Sequence, residues 1–152
     1  EPKFAIGWYY LGHLRGFQDR HAEAVEAFRM AVNLDPYYRE ARHNLGVALY
    51  KNRKMGEAAE ALREALKLRD SAETRHVLGQ VLAESGKLDE AVAEIRKSLE
   101  LDPKRARAHG DLGKILLVMG LRAQAEASLR KALEIDPNLA EARVNLEKLQ
   151  GR

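Results

Sequence analysis

The sequence predicts an all-α protein, a solenoid of antiparallel helix pairs, and three observations carry that prediction. Glycine recurs as Gly12, Gly46, Gly79 and Gly113, at intervals of 34, 33 and 34 residues. A helix-terminating column, Pro36, Asp70, Pro103 and Pro137, keeps the same intervals. Between these columns the apolar residues hold helical spacing, at Ala5, Trp8, Leu11 and Leu14 and then at Ala24, Phe28, Ala31 and Val32. A period of this size marks stacked helical hairpins that bury their apolar faces against one another rather than a single mixed core.

Taken in order, residues 1–4 read as the tail of a preceding repeat, because Pro2 stands 34 residues before Pro36. With no initiator Met, the chain is expected to be a fragment with more repeats upstream. Residues 5–38 form the first repeat, with a polar turn at Gln18 to Arg20; small residues at Gly12, Ala24 and Ala31 admit a closely approaching helix. Pro36 stops its second helix, and Asp35-Pro36 is expected to cap and start the next. Residues 39–71 form the second repeat, with Leu45-Gly46, Ala58, Leu62 and Ala65, and lose one residue at Leu68 to Ser71. There Asp70 and Glu73 are expected to make a capping box, and the short joint to alter the local superhelical rotation. Residues 72–105 carry Leu78-Gly79, Ala91, Ile95 and Ser98, with a turn at Ser85-Gly86-Lys87; residues 106–139 carry Leu112-Gly113, Gly120, Ala125, Leu129 and Ala132. Residues 140–152 read as a capping helix: Leu139, Ala142, Leu146 and Leu149 make one stripe, Glu147 replaces the close-packing Gly, and Gly151 ends it.

Composition narrows the function. The 26 basic and 23 acidic residues are interspersed, so a net charge of +3 describes a solvated surface and argues against nucleic acid as a partner. Cys is absent, which excludes disulfides and thiolate chemistry. The longest apolar run, Ile115 to Met119, is too short to span a bilayer, and no signal peptide opens this sequence. No membrane insertion is expected, and a cytoplasmic location is favoured.

Catalysis finds no support. Ser71, Ser85, Ser98, Ser128 and Thr74 lack a nucleophile-elbow context. Gly79 and Gly86-Lys87 have the wrong spacing for a phosphate loop. Of the five histidines (His13, His21, His43, His76, His109), none forms a His-Glu-x-x-His pair. His43 and His76 occupy equivalent places in adjacent repeats and are expected to line a polar surface; a metal would need further ligands. Neither an enzyme activity nor a cofactor or metal is expected.

The spacing of Trp8, Leu11, Gly12, Ala24, Phe28, Ala31 and Pro36, with three counterparts in phase, resembles the tetratricopeptide repeat family over essentially the whole chain. Arg42, Arg75 and His109 stand where the first repeat has Trp8. The resemblance implies a right-handed superhelix whose first helices line a concave groove that binds peptide segments of other proteins, generally without catalysis. Projecting those helices places Tyr9, Tyr10, His13, His43, Asn44, Val47, Tyr50, His76, Gln80, Arg107, Asp111 and Lys114 on the groove, with Phe17, Glu40, Glu73, Val77 and Val118 beside them. The clamp with which some members grip acidic chaperone tails corresponds here to Tyr9, His13, Asn44, Glu73 and Val77, of which only Asn44 fits. An Asn ladder through Asn44 and Asn145 is interrupted by Tyr10, Val77 and Asp111.

All nine aromatics lie within the first fifty residues. Trp8 and Phe28 read as core. Tyr9, Tyr10 and Tyr50 read as exposed anchors for a partner, the alternative being packing against an upstream repeat. The expected function is therefore a protein–protein interaction module, an adaptor or scaffold that binds a peptide in its groove. Two alternatives stand beside it: a self-assembly segment contacting other copies through Leu117, Val118, Leu121 and the array ends, or the targeting domain of a larger enzyme.

Overall fold

The computed structural model describes the backbone of residues 2–151 and the side chains of residues 4–151. Among these residues the chain forms nine α-helices and no strand. In order they are α1 (Pro2–Phe17), α2 (His21–Leu34), α3 (Arg39–Lys51), α4 (Met55–Leu68), α5 (Ala72–Glu84), α6 (Leu88–Leu101), α7 (Ala106–Val118), α8 (Arg122–Ile135) and α9 (Ala140–Leu149). Consecutive helices pair as α1 with α2, α3 with α4, α5 with α6 and α7 with α8. Each second helix then packs on the first helix of the next pair, and α9 closes against α8 and α7. The product is a right-handed superhelical solenoid.

The distance within each pair is set by a glycine facing a large side chain. A Cβ at Gly79 would lie 2.5 Å from Ile95 Cγ1 and 3.2 Å from the Ala91 carbonyl oxygen. Gly46 and Gly113 meet Leu62 and Leu129 in the same way, and Gly12 meets the Phe28 ring. Ala24, Ala58, Ala91 and Ala125 sit fully buried in the second helices. In the column of Ala31, Ala65 and Ala132, Ser98 is also buried, and its hydroxyl donates to the Ala72 carbonyl at 2.6 Å. That bond is why a hydroxyl is tolerated there.

The turns repeat as faithfully as the packing. Each first helix closes with a residue of positive φ: Asp19 (55°), Arg53 (63°), Gly86 (77°) and Gly120 (76°). The next amide bonds back to the last turn, Lys54 N to Leu49 O and Lys87 N to Leu82 O at 2.9 Å, the Schellman pattern. The links between pairs use a different device. Asp35, Asp102 and Asp136 accept the amide hydrogen two residues on with their own carboxylates, at 3.0, 3.2 and 3.0 Å. Asp35-Pro36 thus forms a turn rather than capping α3, whose cap position is Tyr38. The proline carbonyls are then tied to the following helix: Arg42 Nε donates to Pro36 O, His109 Nε2 to Pro103 O and Arg143 Nη2 to Pro137 O. The column that holds Trp8 in the first pair accordingly holds linker-binding polar groups later. It lies at the rim of the pair, so Trp8 is half-buried rather than core; Ala5 and Phe28 occupy the interior.

The missing residue of the second repeat comes out of the link, three residues (Arg69 to Ser71) where the others have four. Ser71, not Asp70, is the cap of α5, accepting from Thr74 N at 3.4 Å. Asp70 instead receives Arg75 Nε and Nη2 at 2.5 and 2.9 Å. Residues 2–4, expected as the tail of another repeat, are helical and continuous with α1, since Pro is tolerated in a first helical turn. Glu1 and Arg152 lie outside the described residues. On the convex side, consecutive second helices are linked by Arg29 to Glu57, Arg63 to Glu90 at 3.1 Å and Arg96 to Gln124 at 3.0 Å.

Gly79→Ala is expected to lower unfolding free energy by about 1–3 kcal/mol through overpacking against Ile95. Gly7→Ala, where a Cβ meets nothing within 4 Å, is expected to raise it by about 0.5–1 kcal/mol. Chemical denaturation of the two variants measures the contrast.

Candidate functional site

The first helices present their remaining face to the concave side, where an inter-repeat ladder of polar bonds runs the length of the array. Asn44 Nδ2 donates to the Tyr9 hydroxyl at 3.3 Å and to the Glu40 carbonyl at 2.9 Å. His43 Nδ1 meets Thr74 Oγ1 at 3.0 Å, and the Tyr50 hydroxyl donates to Glu84. His76 Nε2 lies 2.7 Å and Gln80 Nε2 2.8 Å from the same Asp111 oxygen, Oδ2. Lys114 Nζ donates to Glu141 on α9 at 2.7 Å. Apart from the Asn44–Glu40 bond, which lies within α3, each of these bonds joins a first helix to the corresponding helix of the next repeat.

Tyr9, His13, His43, Asn44, Val47, Tyr50, Gln80 and Asp111 are half-buried, His76 is buried, and Tyr10, Arg107 and Lys114 are exposed. Two of the three expected anchors, Tyr9 and Tyr50, have their hydroxyls engaged within the chain. The Tyr9 ring packs edge-on to His13, Tyr10 and Phe28, and tilted against Tyr38 at 5.0 Å. The aromatic surplus thus knits the first repeat to the second. Tyr50 is held by Glu84, and of the three Tyr10, 66 % exposed, is the one open to solvent. His43 and His76 each reach forward to the next repeat, His43 to Thr74 and His76 to Asp111. Among the described residues no group of three or more His, Asp or Glu is placed to hold a metal ion. Of the residues considered for self-assembly, Leu117 packs against the core, while Val118 and Leu121 are exposed.

Burial and neighbours tune the titrating groups. Burial pushes the His43 imidazole below its usual value, against the pull of Glu73. Burial, reinforced by Glu84 and Asp111, raises the Tyr50 hydroxyl, so it remains a donor. The hydrogen bond to Glu141 raises the Lys114 ammonium, against partial burial.

Several clefts open on this face, and two of them are predominantly apolar. One, of about 220 Å³, lies between α1, α2 and α3 and is lined by His13, Phe17, His21, Asn44, Val47 and Lys51 over Phe28 and Ala48. The other, of about 330 Å³, spans α3 to α9 and is lined by Tyr50, Glu84, Asp111, Lys114, Val118 and Glu141 over Ala83, Leu88 and Ile115. His21, Lys51, Glu84 and Glu141 are polar lining residues that projection of the sequence missed. A signal was present for two of them: Phe17, Lys51, Glu84 and Val118 form a column at intervals of 34, 33 and 34 residues.

A solenoid of this kind, with its Gly and Pro columns in register, defines a helical-repeat protein. Two family models, each described as a tetratricopeptide repeat, match residues 4–73 and residues 49–115 and 82–146, and the chain belongs to the tetratricopeptide repeat family. No curated protein matches the chain. Solved structures share its fold at low identity. A crystal structure of MamA is 21 % identical with a TM-score of 0.85, over 92 % of this chain and 82 % of that one. PilF of Pseudomonas aeruginosa is 24 % identical at 0.88, over 97 % and 68 %. YrrB, described as a tetratricopeptide repeat protein with an unusual peptide-binding site, is 21 % identical at 0.79, over 97 % and 76 %. Among the described residues no helix is long and apolar enough to cross a membrane.

Asp111 is the acceptor on which the third and fourth repeats converge. Asp111→Ala leaves buried His76 and half-buried Gln80 without that partner, and is expected to destabilise by about 1–3 kcal/mol, with Asp111→Asn costing less. Urea unfolding of both variants provides the test.

Proposed function

We propose that the chain is a non-catalytic protein–protein interaction module that binds a peptide segment of a partner along its concave face. The observation that carries this reading is the combination of the two clefts with the ladder between them. Most polar groups on this face already bond to the next repeat, so the surface is preorganised and little ordering cost remains for a ligand. What is left unsatisfied is apolar or charged and lies in or beside the clefts: Phe17 and Val118, 87 % and 70 % exposed, Lys51, and Arg107, which has no ion-pair partner among the described residues. Exposed aromatic and apolar groups beside isolated charges match what an extended peptide offers, side chains for the clefts and backbone amides for polar rims. PilF, MamA and YrrB lend the fold to this reading and not the ligand.

The test is binding to a displayed random-peptide library. Wild-type protein is expected to enrich a peptide set, and Val47→Arg/Val118→Arg, which fills both clefts from exposed or half-exposed positions, to weaken binding of those peptides more than tenfold. Glu60→Arg, on exposed convex surface, is expected to leave affinity unchanged. Equal binding by the groove-filled variant would sink the proposal.

A further inference from the structure

The two clefts carry opposite chemistry. The first is lined by His13, His21 and Lys51 and contains no carboxylate. The second gathers Glu84, Asp111 and Glu141 around one ammonium, Lys114, in a chain whose formal net charge is +3. We propose that this second cleft receives a lysine or arginine side chain of the partner peptide, an inference that rests on the groove reading above.

Three features fit one occupant. The floor of Ala83, Leu88 and Ile115 suits the aliphatic stem of a long basic side chain, which buries its methylenes while keeping its charge at the rim. The carboxylates stand at that rim: Glu84 and Glu141 side chains are 44 % and 61 % exposed, within reach of an incoming guanidinium or ammonium. Tyr50 adds an aromatic wall to the same cleft, which favours a cation over a neutral group. The chain also supplies its own demonstration. Lys114 extends into the cleft and bonds Glu141 at 2.7 Å, and its ammonium is held above the ordinary lysine value by Glu141, with Asp111 and Glu84 adding to the effect. One cation is already stabilised there, and beyond the bonds from Tyr50, His76 and Gln80 the Glu84 and Asp111 carboxylates keep acceptor lone pairs for another. Arg53 approaches Glu84 only from outside, at 3.1 Å with its own side chain 80 % exposed, so the pairing is weak and displaceable. An acidic side chain would instead meet three carboxylates, and like charges across an interface cost heavily.

The probes are degenerate octapeptides on an array, one position fixed as Arg, Lys, citrulline, norleucine or Glu. Wild-type protein is expected to retain the Arg and Lys sets at least fivefold over citrulline, the neutral isostere of Arg, and to reject Glu. Glu84→Gln/Glu141→Gln, two exposed isosteric changes, should erase the preference while norleucine peptides bind as before. Lys114→Met, which removes the resident competitor, should tighten Arg-peptide binding two- to fivefold. Groove-dependent binding with no charge preference, or a preference that survives the double Gln variant, overturns this inference and leaves the groove reading intact. Equal retention of every set by wild type and by Val47→Arg/Val118→Arg overturns both.

Discussion

Four contacts between a glycine and a large apolar side chain govern the rest of the structure: Gly12 on Phe28, Gly46 on Leu62, Gly79 on Ile95 and Gly113 on Leu129. Because no Cβ intervenes, the two helices of each pair approach until backbone and side chain touch. That separation fixes where the second helix can meet the next pair, and hence the superhelical path. In a quasi-one-dimensional array every unit sees only its neighbours, so geometry set within one pair propagates unchanged. The buried Ala24, Ala58, Ala91 and Ala125 hold the same distance from the facing helix. Both sides of the contact are small where they must be, and large only where a glycine receives them.

The concave face inherits its order from this spacing. With the first helices held at a constant offset, residues 31 to 35 positions apart fall within hydrogen-bond reach, which is how Asn44 finds Tyr9, Thr74 finds His43 and Asp111 finds His76 and Gln80. These bonds remove polar groups from the inventory open to a ligand while making the remaining surface rigid. The two apolar clefts along the ladder differ in sign, Lys51 at one and Glu84, Asp111 and Glu141 at the other.

The fold was legible because packing dictates residue size, and size recurs visibly: Gly12, Gly46, Gly79 and Gly113 cannot be missed in a sequence read for period. Turn chemistry was less legible. Asp35 and Asp70 both look like helix caps, yet one bonds the amide of Tyr37 and the other Arg75, because each cap position is fixed by where the next helix starts, at Arg39 and Ala72. The site was readable by face but not by availability. Projection put Tyr9 and Tyr50 on the groove, but whether they are free depends on what the neighbouring repeat offers, Asn44 for the first and Glu84 for the second. That information resides in the rotation between repeats, which no single helix encodes. Trp8 shows the same limit from the other side: a large aromatic in the helical stripe sits at the rim, in a column later used by Arg42, Arg75 and His109 to hold the linker.

The convex links from Arg29 to Glu57, Arg63 to Glu90 and Arg96 to Gln124 tie successive second helices, as the concave ladder ties successive first helices. Mechanically the solenoid is a curved beam braced along both its inner and outer edges. The braces are made of different materials. Those on the outer edge are exposed and mostly ionic, screened as salt rises, whereas those on the inner edge are largely part-buried and respond little. Ionic strength therefore softens the beam against tighter curling, which stretches its outer edge, and leaves its resistance to straightening in place.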